Sequence, residues 1–388
     1  MERVYMGLEE EIERIAKSIE EKRTQIKILQ REAKRIRNDL KSLTLKEFEE
    51  EIDKIKGETI GKIEYFTKLS IPYKLEFVDA GEIDSYVLQS QLQRIPDDGK
   101  DYVKRLYENL KENRQDEIKS LLKENFVNFC LYFSDVVETT NSLETLYLSL
   151  QDRIILSNYL EYYVLKLFDQ QRKKEGMSKA LGSANLFYNG GCKSILAESY
   201  VHLLMQKPLA VEYEYLKQNH ELKRKILKEN FIRGAYWTLK DPEMMENFFV
   251  NSSLLPPRAK VYEHFVKAGV MKYEKLDALA ASENEVRKKI SPEDYDELEK
   301  IWEAKTVCRA LRAGSVEFVV FRSLSADINY LTYSKRKAVE DPILLVGRKF
   351  ISSLYPKFAS FKQVHDAISR TPPSLNELLE PEAYLRRL

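Results

Sequence analysis

The chain has 388 residues, of which 43% are hydrophobic, 11% aromatic and 32% charged, with only 13 glycines and 12 prolines. This composition argues against a β-sandwich and favours helices joined by short connections. The length exceeds one single-core domain, so we expect one large or two medium helical bodies. The formal net charge of +1 gives no global field that would draw the protein to nucleic acid or to a membrane.

The cysteines and the apolar runs indicate the compartment. Cys130, Cys192 and Cys308 are odd in number and widely spaced, which indicates neither a disulfide framework nor a zinc cluster. No apolar run approaches the roughly 18 residues that cross a bilayer, and the N-terminus lacks a signal-peptide core. The sequence therefore predicts a protein of the cytoplasm or another intracellular, reducing compartment, without a membrane span.

The first 43 residues carry a heptad pattern. Apolar residues alternate at spacings of three and four, which is typical of a coiled-coil helix, here about 60 Å long. Tyr5 and Ala33 belong to the row, and Lys22 is its one interruption. The predicted coiled-coil interface consists of Leu8, Ile12, Ile15, Ile19, Ile26, Leu29, Ile36, Leu40 and Leu43.

The charges of this predicted helix lie in bands. Residues 9–21 are acidic, residues 22–41 are basic, and residues 47–53 are acidic again. In a parallel pairing with another chain, Glu32 and Arg37 form a favourable contact between heptad positions g and e. In an antiparallel helical hairpin, the basic band lies instead against residues 47–53 of the same chain. Packing of the helix against the body is a third alternative.

The rest of the chain predicts a multi-helix body, so that the fold class is all-α. Thr44 and Glu47 form a capping-box pattern that places a helix start near Leu45. One short strand is expected at Lys74–Val78, and Val316–Leu324 is a second possible strand without an evident partner. The predicted helices span 83–94, 101–113, 115–134, 141–174, 192–206, 208–232, 242–250, 257–268, 272–281, 292–312, 342–355, 360–369 and 374–386.

Glycines concentrate in residues 176–191 and mark the best internal boundary. We therefore expect a coiled-coil arm at 1–67, a first part of the body at 68–176 and a second part at 177–388. Residues 189–194, which read Asn-Gly-Gly-Cys-Lys-Ser, resemble a phosphate loop only superficially, because glycine is missing directly before Lys193 and five residues earlier. We expect a tight turn between helices there.

No catalytic, cofactor or metal site is predicted. A thiol at a helix start would have a lowered pKa, but no base accompanies Cys192 in the sequence, so a plain buried cysteine is expected. The four histidines share no metal-ligand spacing and are expected to pack in helices or lie on the surface. They are His202, His220, His264 and His365.

Two basic stretches with neighbouring aromatic residues, 220–240 and 331–350, are the sharper signal. Cations that follow phosphates and aromatic rings that stack on bases bind single-stranded nucleic acid. The alternative, which we favour, is a set of solvated helix faces. The candidate polyanion-binding residues are Lys223, Arg224, Lys225, Arg233, Lys335, Arg336, Lys337, Arg348 and Lys349.

The sequence thus favours a non-enzymatic scaffold or assembly protein. Its N-terminal coiled coil would mediate self-association or docking to a protein partner, and its body would present helical surfaces. The alternative function is that of a helical nucleic-acid-binding structural protein.

Overall fold

The computed structural model describes residues 44–125, 146–158, 176–226, 258–270, 276–288, 290–324 and 342–388, with parts of 21–35 and 127–136 and residues 172–173. These residues are mostly helical. The helices are α1 Leu45–Thr67, α2 Ile83–Leu92, α3 Asp97–Lys111, α4 Gln115–Glu124, α5 Met177–Gln206, α6 Val211–Ile226, α7 Arg258–Lys267, α8 Leu276–Arg287, α9 Pro292–Ser323, α10 Pro342–Leu354, α11 Phe361–Arg370, α12 Leu375–Leu379 and α13 Pro381–Arg387. The strands are β1 Lys74–Val78, β2 Tyr147–Leu150 and β3 Arg153–Ser157.

The start of α1 confirms the predicted capping box. The amide of Glu47 donates to the hydroxyl of Thr44 at 3.3 Å, and a carboxylate oxygen of Glu47 accepts from the amide of Thr44 at 2.7 Å. These bonds satisfy amides that a helix start otherwise leaves without partners. The helix buries Phe48, Ile52 and Ile63 completely, so its apolar face belongs to the body of the protein.

The three strands form one mixed sheet in the order β1-β3-β2. β1 runs parallel to β3, and β2 runs antiparallel to β3 across a two-residue turn. Gln151 in this turn has a φ of 55°. One face of the sheet, with Ile154 and Leu156, joins the main core beneath α1 and α5, and α2 covers the other face. The strand predicted at Lys74–Val78 is therefore confirmed.

The buried apolar residues form a main core, a second core and the small cluster under α2. The main core unites α1, α5, the second half of α9, α10 and α11 to α13. The second core unites α3, α4, part of 127–136, the end of α6 and the start of α9, including Tyr295 and Leu298. Since α9 has 32 residues and is about 48 Å long, it reaches both of the larger cores. It is the element that connects them.

Several sequence expectations are wrong. The central helix predicted from 141 to 174 cannot exist as such, because its first part forms β2 and β3. The tight turn expected at 189–194 does not form, because α5 runs continuously from Met177 to Gln206. Val316–Leu324 is not a strand, because Val316 to Ser323 form the last turns of α9.

Two predicted helices are interrupted. The helix expected at 115–134 stops after Glu124, since Asn125 adopts an extended φ of −147°. The helix expected at 374–386 divides into α12 and α13 at Glu380, where Pro381 begins the second helix. A proline at the first helical position starts a helix well but cannot continue the preceding one.

The division of the body into 68–176 and 177–388 stays a prediction. The core clusters combine residues from both ranges: the second core contains Tyr102 and Leu121 together with Ile226 and Leu298. Similarly, the main core contains Ile154 and Leu156 together with α5. Burial therefore ties the two predicted parts to each other.

Candidate interaction surfaces

The described residues of the N-terminal segment lie in a helix that exposes its side chains. Glu21, Thr24, Gln25, Lys27–Glu32, Lys34 and Arg35 are helical, and all of them are exposed except Leu29, which is half-buried. Ile28, one position outside the predicted interface, is 50% exposed. The other predicted interface residues, Leu8, Ile12, Ile15, Ile19, Ile26, Ile36, Leu40 and Leu43, lie outside the described residues.

The helix that would complete the predicted hairpin uses its apolar face elsewhere. Phe48, Ile52, Ile55 and Ile63 of α1 are buried in the main core. The acidic residues at the start of α1 pair within the helix itself: Glu51 lies 3.3 Å from Lys54, and Asp53 lies 3.7 Å from Lys56. Within the described residues, none of these acids contacts the basic band at 22–41. These contacts give the hairpin no support.

The basic end of α6 is anchored to neighbouring helices. Arg224 forms an ion pair with Asp98 of α3, and its Nη2 donates to the hydroxyl of Tyr132 at 2.8 Å. Its side chain is only 17% exposed. A guanidinium held in this way contributes to packing against the second core and has little surface left for a phosphate.

Lys225, the next residue, is held by the start of α9. Its ammonium lies 2.9 Å and 3.3 Å from the two carboxylate oxygens of Asp294. The hydrogen bond from Lys225 lowers the pKa of Asp294, and the serine cap of the helix, Ser291, lowers it further. Ser291 accepts from the amide of Asp294 at 3.1 Å, which confirms the helix start predicted at residue 292. Lys225 therefore joins α6 to α9.

The remaining basic residues are distributed as follows. Lys223 is half-buried in the last turn of α6, and Arg348 and Lys349 lie on α10, half-buried and exposed respectively. In the part of the chain that the structure describes, no carboxylate lies within ion-pair distance of Arg348 or Lys349. α6 and α10 both pack on α9. Arg233, Lys335, Arg336 and Lys337 lie outside the described residues, so a groove joining both basic stretches stays a prediction.

Cys192 is a plain buried cysteine, as expected, but its position differs from the predicted helix start. It lies inside α5 and is fully buried, together with Gly190 and Gly191. Burial strongly raises the pKa of its thiol. Cys308 in α9 is also buried, and burial raises the pKa of its thiol to about 12. Neither thiol is suited to act as a nucleophile near neutral pH.

The histidines pack in helices, as predicted. His365 of α11 is 6% exposed, and its Nε2 lies 3.2 Å from the carbonyl oxygen of Leu204 in α5. His220 is buried with its ring centre 5.5 Å from that of Tyr132. Among the described residues, no group of three or more His, Cys, Asp or Glu side chains is arranged to hold a metal ion. Nor does any described helix combine the length and apolarity that crossing a membrane requires.

The feature that the sequence did not indicate is the sheet, and with it the outer edge of β1. The sequence does not predict β2 and β3, because the apolar residues there recur every four positions, at Leu146, Leu150 and Ile154. This spacing occurs in helices and in strands alike. Their turn, Gln151-Asp152, lacks the Asn-Gly or Asp-Gly pair that announces a hairpin.

Comparison with known proteins adds no relative: no family model, no curated protein and no solved structure matches this chain. The surfaces themselves are therefore the basis for a functional proposal.

Proposed function

We propose that the protein is a non-enzymatic scaffold that associates with a second copy of itself through its N-terminal helix. Two observations together support this proposal. The apolar residues of the predicted coiled-coil interface form a row with heptad spacing, which we call the seam, and the described part of the helix that carries them is exposed. Residues 21–35, where described, expose every side chain except that of Leu29, a predicted d position. An apolar seam on an exposed helix is stabilised when a second helix covers it.

A partner from another chain fits the contacts better than α1 does. The apolar face of α1 is already buried against α5 and α9. Isoleucine at the successive a positions 12, 19 and 26 favours pairing with other helices, and Glu32 and Arg37 attract each other in a parallel arrangement. Lys22 at a d position lowers stability and fixes the register.

Nucleic-acid binding is the less favoured function. Arg224 and Lys225 already pair with Asp98 and Asp294, so two of the predicted phosphate-binding side chains are engaged in ion pairs within the protein. Among the described candidate residues, Arg348 and Lys349 have no carboxylate within ion-pair distance in the described part of the chain, so these two could contact a phosphate. We expect no change in the fluorescence anisotropy of a labelled single-stranded oligonucleotide at low salt, where phosphate contacts are strongest.

Light scattering tests the proposal. We expect the full chain to scatter as an oligomer and a chain that lacks residues 1–43 to scatter as a monomer, with an unchanged helical signal in circular dichroism. A full chain that is monomeric, and that stays unchanged on this deletion, would contradict self-association through the N-terminal helix.

A further inference from the structure

The outer edge of β1 carries main-chain groups that point away from the sheet. The amide of Lys74 donates to the carbonyl oxygen of Asp152 at 2.8 Å, and the amide of Asn158 donates to the carbonyl oxygen of Val78 at 3.3 Å. In a parallel pair only alternate residues bond to a given neighbour. Lys74, Glu76 and Val78 therefore face β3, whereas the amides and carbonyls of Leu75 and Phe77 face outward.

At the opposite edge of the sheet, formed by β2, a side chain from α5 binds an outward main-chain group. Tyr147 and Ser149 are the outward-facing residues of β2, and the carbonyl oxygen of Ser149 accepts from the side-chain amide of Gln206 in α5 at 3.0 Å. Within the described residues, no donor or acceptor contacts the outward main-chain groups of Leu75 or Phe77. Main-chain groups at a strand edge are a template for pairing with another strand.

The side chains of β1 are held in the conformation that such pairing needs. Phe77 packs edge-on against Phe48 with ring centres 6.0 Å apart, so β1 is fixed to the main core. Glu76 pairs with Arg153 of β3 at 3.1 Å and remains 39% exposed. Lys74 is exposed. The edge is thus preorganised, with one cation and one anion pointing to the same face.

From this arrangement we infer that β1 pairs antiparallel with β1 of a second copy of the chain, around a two-fold axis at Leu75. In this register the two outward residues Leu75 face each other, and Phe77 faces Tyr73 of the other copy. Lys74 then lies opposite Glu76 of the other copy, twice, which supplies two favourable cross-strand charge pairs. The alternative register centred on Glu76 would place two glutamates opposite each other, which is unfavourable.

This interface is separate from the N-terminal helix, and it joins the bodies of the two copies. A two-fold contact is self-complementary, so both copies contribute the same strand. Because five residues bury little surface, we expect this contact to be weak alone. Its role would be to fix the bodies relative to each other once two chains have met.

Disulfide trapping in the full-length chain tests the register. Residues opposite each other without mutual hydrogen bonds have Cα atoms about 4.5 Å apart, within disulfide range. Under mild oxidation, the double variant Lys74→Cys plus Glu76→Cys should form a covalent dimer about tenfold faster than either single variant, because only the double variant presents matched thiols. The parental chain is the control for Cys130, Cys192 and Cys308.

Each outcome decides the inference. A disulfide between position 74 of one chain and position 76 of the other, located by fragmenting the linked peptides in the mass spectrometer, supports it. A covalent dimer of Glu76→Cys that forms as fast as that of the double variant indicates the register centred on Glu76 and overturns it. No covalent dimer in any variant also overturns it and leaves the edge to a strand of another protein or to solvent. Since this test leaves the N-terminal seam unchanged, its failure is distinguishable from failure of the proposed function.

Discussion

Gly314 of α9 and Gly347 of α10 lie against each other, so that the two helix backbones touch without an intervening side chain. A Cβ atom on Gly314 would overlap the backbone of Gly347 and Arg348, and one on Gly347 would overlap the carbonyl of Ala310. Both glycines therefore serve close approach, since glycine alone lacks a Cβ. This crossing fastens α10 to the long helix that connects the two larger cores.

The glycine crossing predicts a large loss of stability on methyl insertion. Gly314→Ala and Gly347→Ala should each lower the free energy of unfolding by at least about 3 kcal/mol, because backbone atoms cannot move aside as a side chain can. Gly57→Ala and Gly61→Ala are matched controls in α1, where a Cβ meets nothing within 4 Å. These two control substitutions should raise the free energy of unfolding by about 0.5–1 kcal/mol each. Urea unfolding measures all four variants. A Gly314→Ala variant with the same free energy of unfolding as the parent would contradict the close approach of α9 and α10.

The hydroxyl of Tyr200 connects α5 to the last turn of α1 and to the segment that follows it. It donates to a carboxylate oxygen of Glu64 at 2.7 Å and accepts from the amide of Ile71 at 3.3 Å. Tyr200→Phe should therefore lower the free energy of unfolding by about 1–2 kcal/mol. Tyr65→Phe is the control, because Tyr65 is 77% exposed and should change stability little. Equal stability of both variants would show that these bonds contribute nothing.

Asp294 predicts a specific dependence of stability on pH. The hydrogen bond from Lys225 lowers its pKa in the folded protein. A carboxylate with a lowered folded pKa stabilises above its unfolded pKa of about 4, and this stabilisation is lost as the pH falls through the folded pKa. Asp294→Asn should therefore lower the free energy of unfolding by about 1 kcal/mol at pH 7. Because an amide does not titrate, the stability of this variant should fall less than that of the parent as the pH drops below about 4.

Asp296→Asn provides the matched comparison for this pH experiment. Asp296 pairs with Arg287 at 3.6 Å, but both side chains are more than half exposed. Exposed pairs contribute little to stability. Thermal melts between pH 3 and pH 7 should therefore separate Asp294→Asn from the parent and leave Asp296→Asn close to it. Superimposable pH profiles for Asp294→Asn and the parent would refute the assigned role of this carboxylate.

The buried cysteines predict slow thiol chemistry. Cys192 is fully buried and Cys308 is 4% exposed, and burial raises the pKa of both thiols. In the native protein at pH 8, both should react with a thiol reagent far more slowly than in urea, where they become accessible. Peptide mass spectrometry after timed labelling assigns the rate of each site. Rapid native labelling of Cys192 is incompatible with its position inside α5.

Local signals in the sequence predicted those elements whose ends are set by neighbouring residues. Thr44 with Glu47 and Ser291 with Pro292 both begin helices, because the capping bonds are made within one turn. The strand at Lys74–Val78 was recognisable from its alternation. The outer strand edge at Leu75 and Phe77 was not, because it depends on which strand lies beside β1.

Tertiary packing decided the elements that were predicted wrongly. Val316, Val319 and Val320 have strand propensity, yet they are helical because α9 buries them in the main core. Gly190 and Gly191 usually interrupt a helix, but both are buried inside α5, where packing outweighs a cost of roughly 1 kcal/mol per glycine. Similarly, Asp98 and Asp294 pair with Arg224 and Lys225 from distant positions, so the sequence alone could not show those charges to be neutralised.

The most direct test of self-association compares two adjacent residues of the N-terminal helix by sedimentation velocity. Leu29→Glu places a charge in the predicted seam, whereas Ile28→Glu places the same charge one position outside it, on a side chain that is 50% exposed. We expect the parent and Ile28→Glu to sediment as the same oligomer and Leu29→Glu to sediment as a folded monomer. Identical sedimentation of all three proteins would contradict an interface formed by the seam.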